Sequence, residues 1–374
     1  MWQADLSPKA HHMRHPIPSL HLVALFAVAL FLGNLHAQTL REEAAQTSRL
    51  VGSAVRDSQL SEVPYATTLA REFNLLEPED ALKWEVIHPG PATFDFLPAD
   101  RIMIFARMHG MKVRGHTLVW HHQLPAWISA QEFSPAQLHH LLEEHIRTVV
   151  EHYRGKVFAW DVVNEAFDEN GQLRSTIWSD APGIGLGTGT AFLEAALRWT
   201  NAADPDALLF INEAECETVN RKSDAIYEVV KDLQRRKVPL NGMGLQMHIF
   251  DLNPDFDGIA ANIHRFAALG LLVHITEMDV AVPLNGDGRP KNPGDLVRQA
   301  DIYRRIAAIC FSEPRCTAFQ TWGFTDKYSW IRSSTRGAKG DALLFDAAYV
   351  PKPAYFGLRD GLLASPKGYT RNSQ

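Results

Sequence analysis

Cysteine is scarce in this chain of 374 residues: Cys216, Cys310 and Cys316 are the whole complement. None has a histidine nearby at zinc-ligand spacing, so no structural zinc site is expected. No other metal or cofactor is expected either. The apolar run at 22–32 falls well short of the ~20 residues a membrane-spanning helix needs. No cysteine follows it, which argues against a lipid-anchored lipoprotein. No Ser/Thr/Pro-rich linker, charge block or internal repeat breaks the sequence, so no appended binding module is expected. A basic surplus is missing too: 37 Lys and Arg against 43 Asp and Glu leave a formal charge of −6, which excludes electrostatic nucleic-acid binding as a main role.

The N-terminus does carry a pattern. Lys9 and Arg14 precede the apolar run, and Gly33 to Ala37 offer a small residue at a plausible cleavage point. This reads as a secretory signal over 1–37, with Met13 as an alternative start, followed by one catalytic domain over 38–374. A secreted or periplasmic protein is expected, with no membrane contact after cleavage. In such an oxidising compartment Cys310 and Cys316 could close a short loop, leaving Cys216 over. A hydrophobic content of 46% supports a large core, and nine Trp supply flat apolar faces for packing or for stacking on sugar rings.

Downstream, eight strand-like segments alternate with helical ones: 51–55, 73–76, 112–118, 157–163, 207–212, 244–249, 271–276 and 318–323. Helical stretches are placed at 38–50, 100–109, 135–153, 191–203, 222–236, 259–269 and 296–309, with another ending near Arg71. Strands alternating with helices indicate a parallel sheet, and eight of them indicate a closed (β/α)8 TIM barrel. The polar residues of interest fall where these strands should end. Strand two runs out into Glu79, Asp80 and Lys83; strand three delivers His116, then Trp120 and Gln123. Strand four ends in Asn164 and Glu165. Gln246 and His248 belong to strand six, Glu277 and Asp279 to strand seven, Trp322 and Trp330 to strand eight and its loop.

Two carboxyls delivered by different strands to one barrel mouth, with Trp and hydroxyl-binding groups around them, suit glycoside hydrolysis. One must be protonated to donate to the leaving oxygen; the other must be ionised to attack carbon or activate water. Asp279, two residues past Glu277 on an extended chain, points to the same side and is placed to orient His248. Asn164 is placed to bond a sugar hydroxyl.

The segments 160–165 (WDVVNE) and 275–279 (ITEMD) resemble the acid/base and nucleophile motifs of glycoside hydrolase family 10 xylanases. The segments 79–85, 114–121, 246–248 and 322–330, and the pair Cys310 and Cys316, are similar to that family's other blocks. The resemblance implies a retaining endo-β-1,4-xylanase acting on xylan and xylo-oligosaccharides, with Glu165 as acid/base and Glu277 as nucleophile. Asn164, His248 and Asp279 would support that pair. It also implies subsites lined by Glu79, Asp80, Lys83, His116, Trp120, Gln123, Asn164, Gln246, His248, Trp322 and Trp330, in a monomer. Two positions depart from the family pattern: Asp80 stands where Asn is usual, and Met247 where a small polar residue is usual. Rival expectations are a non-catalytic xylan-binding protein, a β-1,4-glucanase on a similar barrel, and a metal-dependent barrel hydrolase. The last would need two histidines at the end of strand one, which 51–55 does not offer.

Overall fold

The computed structural model describes residues 1–2, 38–180, 183–185 and 189–364, so the expected signal segment lies almost wholly outside the described residues. The chain divides into Met1–Gln38 and Thr39–Gln374, and the fold belongs to the second unit. It begins with a short helix, Leu40–Gln46, whose start is fixed reciprocally: Thr39 Oγ1 accepts from Glu42 N while the Glu42 carboxylate accepts from Thr39 N.

Eight parallel strands follow: β1 (Leu50–Val55), β2 (Leu75–Pro78), β3 (Lys112–Val119), β4 (Ala159–Asn164), β5 (Leu208–Glu213), β6 (Gly242–Leu245), β7 (Leu272–Val280) and β8 (Cys316–Thr321). Each pairs with the next, β8 pairs with both β7 and β1, and the sheet closes into a (β/α)8 barrel. The connecting helices are α1 (Val63–Glu72), α2 (Leu97–Met108), α3 (Pro135–His152), α4 (Ala191–Ala203), α5 (Arg221–Arg235), α6 (Phe256–Ala268), α7 (Asp295–Ser312) and α8 (Pro353–Leu363). Their apolar faces cover the barrel; in α3, for example, Leu138, Leu142, Ile146, Val149 and Val150 are buried, while Ser134 caps the helix start and Pro135 occupies its first turn.

Several strand boundaries differ from the sequence-based placement: β7 runs on to Val280, which keeps Glu277 and Asp279 inside the strand, and β8 ends at Thr321, before Trp322. Strand β2 lies two residues later, which puts Glu77 inside the strand and wholly buried rather than past its end. The segment 244–249 is not one strand. β6 stops at Leu245, Met247 takes φ +67°, and His248–Ile249 form a separate short strand beside the end of β7. The alternating composition gives no hint of that turn, because Met is a poor left-handed residue and no Gly or Asn marks it. The last helix, α8, comes after a long loop.

The interior of the barrel is polar at its centre. Arg114 on β3 forms a doubly bonded ion pair with Asp161 on β4, and its Nη1 lies 2.9 Å from His274 Nδ1 on β7. Gln320 on β8 donates to Glu77 at 2.5 Å. Glycine at 115 is required by this crowding, since a Cβ there would run into the Trp160 ring.

The Cys310–Cys316 disulfide is present and Cys216 is free and buried. It links the end of α7 to the start of β8, at the barrel end opposite the strand C-termini.

A second buried pair lies outside the barrel. His145 of α3 stacks on Trp84 with ring centroids 3.6 Å apart, and its Nδ1 meets His88 Nδ1 at 3.3 Å. One ring must donate and the other accept, so the contact needs at least one neutral imidazole. Burial pushes both pKa values down, His145 the further, with the neighbouring histidine adding to the shift there. A depressed folded-state pKa means the unfolded chain takes up these protons first, near its ordinary ~6.5. The stability these rings contribute is therefore complete above that pH and lost as pH falls towards the folded-state values. Urea midpoints of the native chain should drop between pH 7.5 and 5, and His145→Phe should flatten that limb. Parallel curves for the two proteins would refute the assignment.

Candidate active site

The C-terminal ends of the strands carry a cleft of about 410 Å³ lined by Lys83, His116, Trp120, Asn164, Glu165, Gln246, His248, Glu277, Trp322 and Trp330, with Phe250 and Arg174 among the remaining wall residues. Ten of the residues singled out in the sequence thus meet in one cavity. Asp279 is buried behind it. Glu79, Asp80 and Gln123 do not line this cavity.

Each glutamate is fixed first through its main chain. Glu165 takes φ +52° directly after β4, and its N–H donates to the Asn212 carbonyl at 2.9 Å. The N–H of Glu277 donates to the Gln246 carbonyl at 3.0 Å. Glu165 thus turns out of the sheet plane where β4 ends, while Glu277 remains in the longer strand β7.

The side chains are joined by amides. Gln246 Nε2 donates to Glu165 Oε1 at 2.9 Å and approaches Asn164 Oδ1 at 3.3 Å. Asn212 Nδ2 donates to the same Asn164 oxygen at 2.9 Å and to Glu277 Oε1 at 2.7 Å. Thr276 Oγ1 donates to Asn212 Oδ1 at 2.7 Å and so sets the amide the right way round. Trp120 Nε1 donates to the second oxygen of Glu165 at 2.9 Å. Glycine at 244 makes room for the Asn212 side chain, which a Cβ would strike.

The second oxygen of Glu277 lies 3.3 Å from His248 Nε2, and His248 Nδ1 lies 3.0 Å from Asp279 Oδ2. Trp330 Nε1 donates to that same Asp279 oxygen at 2.8 Å. The expected Asp279–His248 contact is therefore present, with a tryptophan of the loop after β8 attached to it. Burial opposes a charged His248, but the Asp279 and Glu277 carboxylates outweigh it and hold its pKa well above the ordinary value. Burial likewise opposes ionisation of Glu165; the bonds from Gln246 and Trp120 prevail and leave its pKa below the usual carboxylate range.

Beneath the cleft, His116 Nδ1 lies 3.1 Å from Asp161 Oδ2 and 3.3 Å from Glu77 Oε1. Burial, then the Asp161 charge, pushes the Glu77 carboxyl well above its usual range despite Arg114. Lys83 Nζ sits over the Trp120 and Trp322 rings at 4.8 and 5.4 Å, a cation between two aromatic walls.

Three residues escaped the sequence-based selection. Arg56 holds Glu79 at 2.7 Å and Asp80 at 3.1 Å, whereas Lys83 stands 3.6 Å from Asp80; the two acids are thus neutralised mainly by Arg56. Asn212 links the two glutamates. Lys222, from the start of α5, reaches the cleft wall and pairs with buried Glu213 at 3.0 Å. The Asn at a strand end was the one readable signal, since β5 delivers it as β4 delivers Asn164.

Among the described residues, two groups of three side chains have ligand atoms within 4.8 Å of one another: Glu77 with His116 and Glu277, and Glu165 with His121 and His122. The first already has a cation beside it, Arg114, 3.9 Å from Glu77.

The His248 contact can be tested without reference to turnover. Asp279→Asn keeps an acceptor for Trp330 but removes the charge that holds the imidazolium. The His248 ring should then titrate closer to ~6.5, as read by NMR of its ring protons. A titration unchanged from the native protein would show that Asp279 does not set it.

Against known proteins, residues 39–361 match the family model described as glycosyl hydrolase family 10. Endo-1,4-beta-xylanase B of Thermotoga neapolitana is 44% identical over 296 residues, 79% of this chain and 82% of that one. An endo-1,4-beta-xylanase of Agaricus bisporus is 34% identical over 345 residues, 91% of this chain and 99% of its own. Among solved structures, xylanase 10B from Thermotoga petrophila in complex with xylobiose superposes with a TM-score of 0.83 at 42% identity, over 88% of this chain and 99% of that one. The matched span takes in all eight strands and every residue of the cleft, and the chain belongs to glycosyl hydrolase family 10.

Proposed function

We propose that this chain is an endo-β-1,4-xylanase that cleaves internal bonds of xylan with retention of anomeric configuration. The observation that carries the proposal is the amide chain Glu165–Gln246–Asn164–Asn212–Glu277, which ties two carboxyls from β4 and β7 into one cleft walled by tryptophan. Relatives named as xylanases and the xylobiose-bound neighbour support xylan and xylo-oligosaccharides as the substrates.

In this proposal Glu277 attacks the anomeric carbon. Asn212 and His248 each hold one of its oxygens, so the carboxylate is aimed and its charge supported from both sides. Glu165 gives a proton to the leaving oxygen, and a glycosyl-enzyme ester forms on Glu277. Water then attacks the ester carbon, Glu165 takes the proton of that water, and Glu277 leaves as carboxylate. The empty cleft favours ionised Glu165, the form the second step needs. Sugar binding expels water from around the carboxyl and favours the protonated form for the first step. Asn164 bonds a hydroxyl beside the reacting carbon, Lys83 and His116 bond others, and Trp120, Trp322 and Trp330 pack on ring faces. Export to the periplasm or the medium, and a monomeric state, complete the proposal. The N-terminal pattern supports export; among the described residues no helix is long and apolar enough to cross a membrane.

The test separates the two glutamates. Glu277→Ala should abolish turnover of both xylan and an aryl xylobioside with an acidic phenol. Glu165→Ala should lose xylan hydrolysis by more than ~10²-fold, yet still be glycosylated by the activated aryl substrate. Added azide, which needs no deprotonation, should restore its turnover and yield the β-glycosyl azide. If azide instead rescues Glu277→Ala to the β-azide and Glu165→Ala to the α-azide, the roles are reversed. Reducing-sugar release from xylan against carboxymethyl cellulose separates a xylanase from a glucanase, and no release from either would indicate a binding protein.

A further inference from the structure

Directly after β3 the chain bends through His121, His122 and Gln123 without helix or strand. Both imidazoles stand at the rim beside Glu165. Their ring centroids are 4.0 Å apart, and each ring meets Trp120 edge-on, at 6.1 and 5.2 Å. Neither ring makes a hydrogen bond among the described residues. One nitrogen of each and one oxygen of Glu165 lie within 4.8 Å of one another.

That donor set has a recognisable chemistry. Two imidazoles and a carboxylate are the ligands taken by zinc, nickel, cobalt and copper(II); magnesium and calcium prefer oxygen alone. With bonds of about 2.0–2.2 Å, tetrahedral coordination brings ligand atoms to roughly 3.3–3.5 Å from one another. The three ligand atoms lie within 4.8 Å of one another, and His122 is exposed and His121 half-buried on a bend, so modest side-chain rotations would bring them to that spacing. Glu165 is the fixed member, held by Gln246 and Trp120 through one lone pair on each oxygen, with lone pairs to spare. A fourth position would be left to water.

We propose that His121, His122 and Glu165 form a site for one first-row transition-metal cation, and that filling it silences the enzyme. The silencing rests on the role proposed above for Glu165. A carboxylate that ligates a metal cannot pass a proton to the leaving oxygen, and the cation would stand at the mouth through which that sugar leaves. Arg174 and Lys222, whose charges reach His121, oppose the cation and limit its affinity. The site would therefore fill reversibly and be emptied by a chelator.

The experiment uses the whole chain with zinc(II) for inhibition and cobalt(II) for direct detection by its visible absorption. Histidines elsewhere bind metal equally in all variants, so only differences count. The native protein should lose xylan turnover on zinc addition and recover it with EDTA. His122→Asn, compared with its own metal-free rate, should need at least ~10-fold more zinc for the same loss. The tetrahedral cobalt absorption should weaken in parallel. His122→Gln provides the same comparison if the Asn variant folds poorly. Equal zinc sensitivity in the native and variant proteins would overturn the site and leave the role of Glu165 untouched. Cobalt bound through His122 without loss of turnover would overturn the silencing, and with it the assignment of Glu165 as proton donor.

Discussion

Arg114 is buried at the centre of the barrel, and the charges around it are arranged about that one guanidinium. Asp161 faces it, Glu77 approaches to 3.9 Å, and His274 takes its remaining side. Removing one partner from such a group typically costs about 3–5 kcal/mol, because the other charge is left buried and unpaired. The consequence reaches the cleft. Asp161 also holds the His116 ring, and its main-chain carbonyl accepts from Thr117 Oγ1 at 2.8 Å. The floor of the active site is therefore the top of an interior ion network. Barrel interiors are commonly filled by layers of branched aliphatic side chains; here the core is charged at its centre and shares residues with the site.

Above that floor the two glutamates are held differently. Among the described residues Glu165 has neutral donors, an amide and an indole, whereas Glu277 has an amide and an imidazole raised towards its charged form. Neutral donors support a charge without fixing it, so Glu165 can change protonation state as water leaves. That asymmetry of partners is what a two-carboxylate mechanism requires of its environment. The rim accepts some backbone strain to produce it. Glu165, Glu215 and Met247 all have positive φ without being glycine, each at a cost of roughly 1–2 kcal/mol.

Much of this was legible along the chain, and the limits follow from what periodicity can register. Strand ends show as apolar runs that stop at polar residues, so Asn164 and Glu165 were found where the barrel places them, while Glu277 and Asp279 lie inside a strand that runs on to Val280. The Asp279–His248 contact followed from two-residue spacing on an extended chain. The interior charges were not legible, because Arg114 and His116 flank a glycine in a run that looks like a strand approaching its end. Glu77 was misplaced for the same reason: a carboxylate reads as surface unless its partners are known, and these are Arg114 and His116 on β3 and the Gln320 amide on β8. Arg56 carries no local signal, since Glu79 is 23 residues away, and Asn212 shows only as an amide at a strand end, its partners lying 48 and 65 residues away. Met247 turns the chain against its own preference, which only the tertiary contacts on either side can impose.

The two ends of the barrel divide the work. At the end away from the cleft, Arg49 donates to the Cys316 carbonyl at 2.5 Å and the Phe311 carbonyl at 2.8 Å, beside the Cys310–Cys316 disulfide. These bonds join the start of β1 to the start of β8, the seam where the first and last strands must meet. Nearby, Tyr355 of α8 donates to Glu72 of α1 at 2.9 Å, locking the last helix onto the first. A disulfide over so short a loop contributes about 2 kcal/mol on the chain-entropy account. The seam also carries a parallel ladder, with Leu50 to Ser53 paired to Ala318 to Thr321. Closure anchored at this face lets the opposite face keep left-handed residues, buried acids and an unpaired rim. The strain at Glu165 and Met247 persists because the barrel is already closed by contacts that the cleft does not use.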